Sequence, residues 1–297
     1  MASFVGIDET IPVSLHHDVY PAIDPASAYK AKALKGKVAL ITGASRGIGQ
    51  AIALGFAQAG ASLALVSRSQ ATLDKTKAAV LAVAPGTDVL TFPADVRKSD
   101  AAAKIVKNVV DHFGHLDLLV PNAGALTPIT IALHEKDPAV WWNTFEVNVR
   151  GVFNFVHAAI THLVKTNGRI LITGSIAAHV RYPNQADYNA SKLTIDRFGE
   201  FVAAEYPAVK TFVIHPGVVI GTELAQSSLG GLEFPSDIPT DSIELASAFF
   251  IHVALGKADW LNGRFWDVEW DIEEVERKWK DKIVAQNGLV NKLFIPQ

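Results

Sequence analysis

The chain of 297 residues contains no cysteine. That absence removes disulfides, thiolate nucleophiles and cysteine-based zinc sites. Its ten histidines are scattered, with the pair His16 and His17 in the leader. No H-E-x-x-H spacing occurs, so no metal is expected. Charge of one sign is equally scarce. The formal net charge is -3, and no block of five like charges occurs. Nucleic acid and a basic membrane patch are therefore not expected as partners. Long apolar runs are missing too. The longest uncharged stretch, between Arg46 and Arg68, is broken by Gly47, Gly49, Gln50, Gly55 and Gly60. It reads as helix, turn and strand, not as a membrane span. The opening "MASFVGIDETIPVSLHHDVYPAID" carries Asp8 and Glu9 and does not read as a secretory signal. A cytoplasmic location is the expectation.

What the chain does have is aliphatic residues in a regular rhythm. Hydrophobic residues make up 49% and charged residues 19%, a balance suited to a sheet buried on both faces. From residue 36 onward, short apolar runs alternate with helical patterns. "KVALITG", "SLALVSR", "DVLTFPAD", "LDLLVPNAG", "GRILITGS", "VKTFVIHPG" and "GRFWDV" read as strands. The segments between them carry helical periodicity and often close at Gly or before Pro. The second half places helices near 138–165, 185–205 and 240–256. Strand–helix alternation predicts an α/β fold: a doubly wound, Rossmann-type parallel sheet of about seven strands, with helices on both faces. The expected organisation is an N-terminal extension over 1–35, a single domain over 36–270 with a substrate loop at 218–238, and a tail over 271–297. No Pro/Gly/Ser-rich linker divides the core.

The turn "TGASRGIG" follows the first strand and opens the first helix. Its glycines, Gly43, Gly47 and Gly49, let backbone approach a pyrophosphate, with the free amides and positive dipole end of the helix behind them. Ser45, Arg46 and Ile48 belong to the same turn. The second strand ends in "VSRS", where an acid would bind a ribose 2'-hydroxyl and an arginine a 2'-phosphate. The chain offers Arg68 there and no acid before Asp74. Two guanidiniums, Arg46 and Arg68, favour NADPH over NADH. Asp95 and Val96 in "FPADV", and Asn122, Ala123 and Gly124 in "PNAG", end the next two strands, where ligands of open α/β sheets sit.

Four further positions complete the set: Asn148 in "FEVNVRG", Ser175 in "LITGS", and Tyr188 and Lys192 one helical turn apart in "YNASK". With "TGASRGIG", "ADV", "NAG" and "HPG", this ordered set resembles the short-chain dehydrogenase/reductase family over roughly residues 36–270. The leader and tail give it a fungal-type look, in a family often serving secondary metabolism or detoxification. The resemblance implies an NADPH-dependent reductase of a ketone or aldehyde, reversible as an alcohol dehydrogenase. Tyr188 would be the general acid/base, and Lys192 would lower its pKa and bind the nicotinamide ribose. Ser175 would position the substrate oxygen, and Asn148 would hold a relay water. Pro216, Gly217 and Val219 would lie over the nicotinamide. Thr222 stands six residues after Pro216, one further than the family's usual carboxamide-binding threonine. Pro121 replaces a more usual asparagine.

A free phenol has a pKa of about 10. A unit charge about 4 Å away, at an effective dielectric of about 20, interacts by roughly 4 kcal/mol. That is enough to draw the phenol toward neutrality before desolvation opposes it. Specificity is expected in 125–137, 176–184 and 218–238. The last segment carries Leu224, Leu229, Leu232 and Phe234 as an apolar lid over an apolar or aromatic small molecule. His179, Arg181 and Tyr182 are further candidates for substrate contact. Two other readings use the same residues: a lyase, isomerase or cyclase reusing the cofactor pocket, and a nucleotide sensor. The resemblance also implies a homodimer or homotetramer pairing through the helices that hold Asn148 and Tyr188.

Overall fold

The computed structural model describes residues 10–236 and 238–293. The leader up to residue 9, position 237 and the tail from 294, including Pro296, lie outside the described residues.

Seven strands form one all-parallel sheet: β1 (Val38–Thr42), β2 (Ser62–Ser67), β3 (Val89–Pro93), β4 (Leu118–Val120), β5 (Arg169–Thr173), β6 (Lys210–His215) and β7 (Arg264–Asp267). Their order is β3-β2-β1-β4-β5-β6-β7. The direction of winding reverses between β1 and β4, and that is the switch point at which such sheets bind ligands. The helices are α1 (Ala26–Ala31), α2 (Gly47–Gln58), α3 (Gln70–Val83), α4 (Ser99–Phe113), α5 (Pro138–Phe145), α6 (Gly151–Thr166), α7 (Ala186–Glu205), α8 (Glu223–Leu229), α9 (Ile243–Ala254), α10 (Ile272–Lys278) and α11 (Lys280–Ala285).

Side-chain alternation explains the layers. Along β1, Ala39 and Ile41 enter one core cluster, while Val38 and Leu40 enter the other. A strand residue and its successor point to opposite faces, so residues 38–41 are apolar on both faces, and all five residues of the strand are buried. The first cluster takes in Phe56 of α2, Leu73 of α3 and Phe249 of α9; the second takes in Ile105 of α4, Phe155 of α6 and Ile195 of α7. The described part of the leader joins the first cluster through Tyr20, Ile23, Ala28 and Leu34, and the tail joins through Ile272, Val275 and Ile283. Tyr20 ties the two together: its hydroxyl donates to the carbonyl of Trp270 at 3.2 Å and accepts from the amide of Ile272 at 3.0 Å.

The single helix expected near 138–165 is two helices joined by a π-turn, Glu146–Arg150, centred on Asn148. A π-turn inserts one residue and shifts the hydrogen-bond register, which periodicity alone does not reveal. The tail likewise forms two short helices, parted at Trp279. No helix among the described residues is long and apolar enough to cross a membrane.

Candidate functional site

The carboxyl edge of the sheet opens into a cleft of about 550 Å³. Each of the first six strands contributes to it: Gly43 and Ser45–Ile48 after β1, Ser67–Ser69 from β2, 94–97 after β3, 122–126 after β4, 173–177 from β5 and 215–220 from β6. The α8 segment covers the far end through Leu224, Leu229 and Phe234. Leu232 does not line it; that side chain is 55% exposed.

The turn after β1 is built on close approach. Gly43 has φ +65°, and a Cβ there would lie 2.9 Å from the Cα of Ala123. A Cβ on Gly49 would lie 2.4 Å from the carbonyl oxygen of Gly43. Glycine at both positions lets α2 descend onto the turn, so its unpaired first amides come to the cleft. Gly49 itself packs behind the turn and does not line the cleft. Gly47, with φ +54°, faces Thr222 across the opening, where a Cβ would come within 3.2 Å of the threonine methyl. Thr42 locks this turn to the next strand: its hydroxyl accepts from the amides of Asn122 at 3.0 Å and Ala123 at 3.1 Å. The Asn122 side chain donates to the Thr42 carbonyl at 3.1 Å and accepts from the Thr173 hydroxyl at 3.2 Å. Thr42 and Thr173 were not singled out in the sequence, although both end strands.

At one end of the cleft lie the two arginines. Arg68 is exposed, with no ion pair among the described residues. Arg46 is paired: its guanidinium sits 2.6 Å from the Glu223 carboxylate at the start of α8. Asp95 is also engaged. Arg97 donates to both of its oxygens, at 3.0 Å and 2.9 Å through Nε, and reaches Asn143 at 2.7 Å. The hydrogen bonds from Arg97 hold the Asp95 carboxyl below its ordinary range, against the opposing effect of burial. Arg97 is a lining residue that the motif reading missed.

At the other end stand Ser175, Tyr188 and Lys192. Ser175 is buried, caps the turn that follows it, and accepts from the amide of Ala177 at 3.1 Å. Lys192 is buried and donates to the Thr173 carbonyl at 2.8 Å, 5.6 Å from the centre of the Tyr188 ring. Burial lowers its pKa to about 8, with the charge of Asp196 acting the other way. Tyr188 corrects an expectation. Its phenol is raised above the ordinary value, because burial outweighs the hydrogen bond with Ser175. Desolvation, set aside as an opposing effect in the charge-pair argument, is the larger one here.

Asn148 is fully buried and stands behind the cleft rather than on its wall. Its side-chain oxygen accepts from the Ala125 amide at 2.8 Å, and its amide donates to the Ala125 carbonyl and to the Ser191 hydroxyl, both at 2.9 Å. Thr222 caps α8, its hydroxyl accepting from Ala225 at 3.2 Å and donating to Val219 at 3.1 Å. Pro216, Gly217 and Val219 line the cleft. His179 turns away, its ring 3.2 Å from Asp196 and edge-on to Phe265; neither it nor Arg181 nor Tyr182 is among the lining residues.

The residue before Tyr188 anchors the whole helix. Asp187 is fully buried; it receives Lys136 at 2.7 Å and the hydroxyls of Thr127 at 2.8 Å and Thr144 at 3.0 Å. Lys136 also donates to the Asn184 carbonyl at 2.5 Å and to the Thr127 hydroxyl. Burial pushes the Asp187 carboxyl up, but these donors together bring it below its ordinary value.

Residues 37–230 match the family model described as short chain dehydrogenase. The curated short chain dehydrogenase mpl6 of Monascus purpureus is 37% identical over 306 aligned residues, covering 99% of this chain and 98% of that protein. Versicolorin reductase 1 of Dothistroma septosporum is 37% identical over 191 residues, covering 63% of this chain and 70% of that protein. Among solved structures, carveol dehydrogenase from Mycobacterium avium in complex with NAD superposes with a TM-score of 0.72 at 25% identity, covering 79% of this chain and 96% of that one.

Proposed function

The chain belongs to the short chain dehydrogenase family, and on that premise we propose that it is an NADPH-dependent reductase of a ketone or aldehyde on an apolar or aromatic small molecule. The observation that carries this reading is the convergence of Ser175, Tyr188 and Lys192 at one end of a cleft whose other end is a glycine turn flanked by Arg46 and Arg68. A fit for an extended dinucleotide is supported by three features: backbone that can approach closely at Gly43 and Gly47, free amides at the start of α2, and two cations spaced along the rim.

When bound, the cofactor supplies the hydride. The protein's share of the work is position and proton. Tyr188, kept neutral by its burial, donates its phenolic proton to the oxygen that gains charge as the carbonyl is reduced. Ser175 donates a hydrogen bond to the same oxygen and fixes its distance from the phenol. Lys192, held by Thr173, stabilises the phenolate left behind and would hold the ribose hydroxyls of the cofactor. The proton is replaced through Asn148. Its side chain is committed to Ala125 and Ser191, so a relay water would rest on its main-chain carbonyl, in the turn where the helical register shifts. The single domain with its leader and tail, pairing of copies through α5, α6 and α7, and a cytoplasmic location remain parts of the same proposal.

The far end of the cleft supports an apolar or aromatic substrate: Leu126, Val147, Ile220, Leu224, Leu229 and Phe234 all line it. The similarity to a versicolorin reductase fits reduction of a small molecule. The test is calorimetry with NADPH and NADH, followed by NADPH oxidation against a panel of bulky ketones. Tight NADPH binding with turnover is expected. Tight binding without turnover on any carbonyl would favour a lyase, isomerase or cyclase reusing the pocket, and binding of neither nucleotide would overturn the reading.

A further inference from the structure

Behind the floor of the cleft, five side chains with metal-ligating atoms converge from four separate segments. His215 ends β6 and pairs in register with Asp267 at the end of β7, so the two side chains share one face of the sheet. Glu269 follows two residues later. Asp241 precedes α9, and His17 comes from the N-terminal segment. The ligand atoms of His17, Asp241 and Glu269 all lie within 4.8 Å of one another, and so do those of His215, Asp267 and Glu269. Glu269 belongs to both groups.

Part of this cluster is internally satisfied. His17 Nδ1 lies 2.7 Å from Asp241, whose other oxygen accepts from the Val218 amide. Asp267 accepts from the Glu269 amide at 3.0 Å. His215 is the exception. It is 4% exposed, and neither ring nitrogen has a hydrogen-bond partner among the described residues. A buried imidazole with both nitrogens unpaired is costly, and this one stands beside the Asp267 and Glu269 carboxylates. Three carboxylates converge here in a largely buried space, where negative charge needs a positive partner.

We infer that His215, Asp267 and Glu269, joined through Glu269 to the neighbouring His17 and Asp241, form a structural site for one divalent first-row transition cation. Imidazole and carboxylate without thiolate suit Zn²⁺ or Mn²⁺, and the two imidazoles disfavour Mg²⁺ and Ca²⁺. Such an ion would give His215 the partner it lacks. It would also brace the cleft: Asp241 holds the amide of Val218, next to Gly217 and Val219 on the cofactor floor, and His17 pins the leader to the same point. The ligands are spread from the leader to the end of the sheet, so no local spacing in the sequence announces them.

The test uses the full chain, stripped by chelator and titrated with Zn²⁺, Mn²⁺ and Mg²⁺, reading metal content and melting temperature. Uptake of one Zn²⁺ or Mn²⁺ per chain with a raised melting temperature is expected, and Mg²⁺ should do neither. His17→Ala, in a half-exposed segment, should keep the fold and weaken binding by at least about tenfold. Glu269→Gln removes the shared ligand and one crowded charge, so the metal-free protein should melt no lower than wild type while the metal-dependent rise disappears. Absence of uptake and of any thermal shift in wild type would overturn the proposal and leave the cluster to protons. Undiminished uptake in both variants would place the ion elsewhere, and equal binding of Mg²⁺ would remove the histidines as ligands.

Discussion

Arg46 and Glu223 face each other across the mouth of the cleft at 2.6 Å, one at the cap of α2 and the other opening α8. The pair joins the glycine turn to the lid. Both side chains are more than half exposed, 53% and 64%, so by itself the contact is worth about 0–1 kcal/mol. A 2'-phosphate, a doubly charged acceptor, outcompetes a single exposed carboxylate for the guanidinium. Glu223→Gln should therefore tighten NADPH by up to about fivefold and leave NADH nearly unchanged, with the difference fading in high salt. Calorimetry at two salt concentrations checks this. An equal gain for both nucleotides would place Arg46 on a part of the cofactor that they share.

Arg68 has no such competitor among the described residues. Its loss should cost NADPH affinity about 10- to 100-fold, the range for charge-assisted hydrogen bonds to phosphate, and change NADH by far less. The comparison of Kd values for Arg68→Ala with both nucleotides measures it, and equal losses would refute the 2'-phosphate role.

Tyr188→Phe keeps the ring and removes only the hydroxyl. Turnover should fall by at least about 10²- to 10⁴-fold, the usual worth of a positioned acid, while NADPH affinity stays within a small factor because the ring still packs. Retained turnover in a single-turnover assay would take the acid role away from Tyr188.

Lys192 should set the alkaline limit. Its pKa is lowered to about 8 by burial, so its ammonium is lost as pH rises through that value, and the stabilised phenolate with it. Reduction should decline above about pH 8, and Lys192→Met should remove that limb along with most of the activity. The stability consequence has the opposite sign. The unfolded chain keeps the lysine proton up to about pH 10.4, so between the two values the unfolded state binds more protons and stability rises with pH. A kcat profile that falls across the same window in which the melting temperature gains would separate the catalytic effect from the structural one.

The frame of this site was legible because it rests on local chemistry. Gly43 and Gly47 adopt positive φ, which few other residues accept, and Tyr188 and Lys192 share a helix face by spacing alone. The strands were legible because a sheet covered on both sides keeps their centres apolar and leaves polar residues mostly at the strand ends. What was not legible depends on neighbours distant in sequence. Arg97 takes the Asp95 carboxylate, and Glu223 takes Arg46. The π-turn at Asn148 changes register without any proline or glycine inside it. The phenol of Tyr188 rises rather than falls because the sequence shows a nearby lysine but not the depth of burial.

The Lys136–Asp187 pair is the strongest case of such a distant partner, and it bears on catalysis through position. Asp187 precedes Tyr188 at the start of α7, and Lys136 comes from the segment ahead of α5, so the pair fixes where the helix begins. Both side chains are almost wholly buried, at 3% and 0% exposure. Removing one partner from a buried pair leaves an uncompensated charge, at a cost of about 3–5 kcal/mol. Lys136→Met should show that loss in denaturant unfolding. Asp187→Asn keeps an acceptor for the two threonines but leaves the buried Lys136 ammonium without its counter-charge, so it should show a loss of the same order. In the variant that still folds, kcat should fall more than NADPH affinity, because the cofactor turn lies on other elements while Tyr188 moves with α7. If kcat and KM are unchanged in a folded Asp187→Asn protein, the pair holds the fold and does not position the tyrosine.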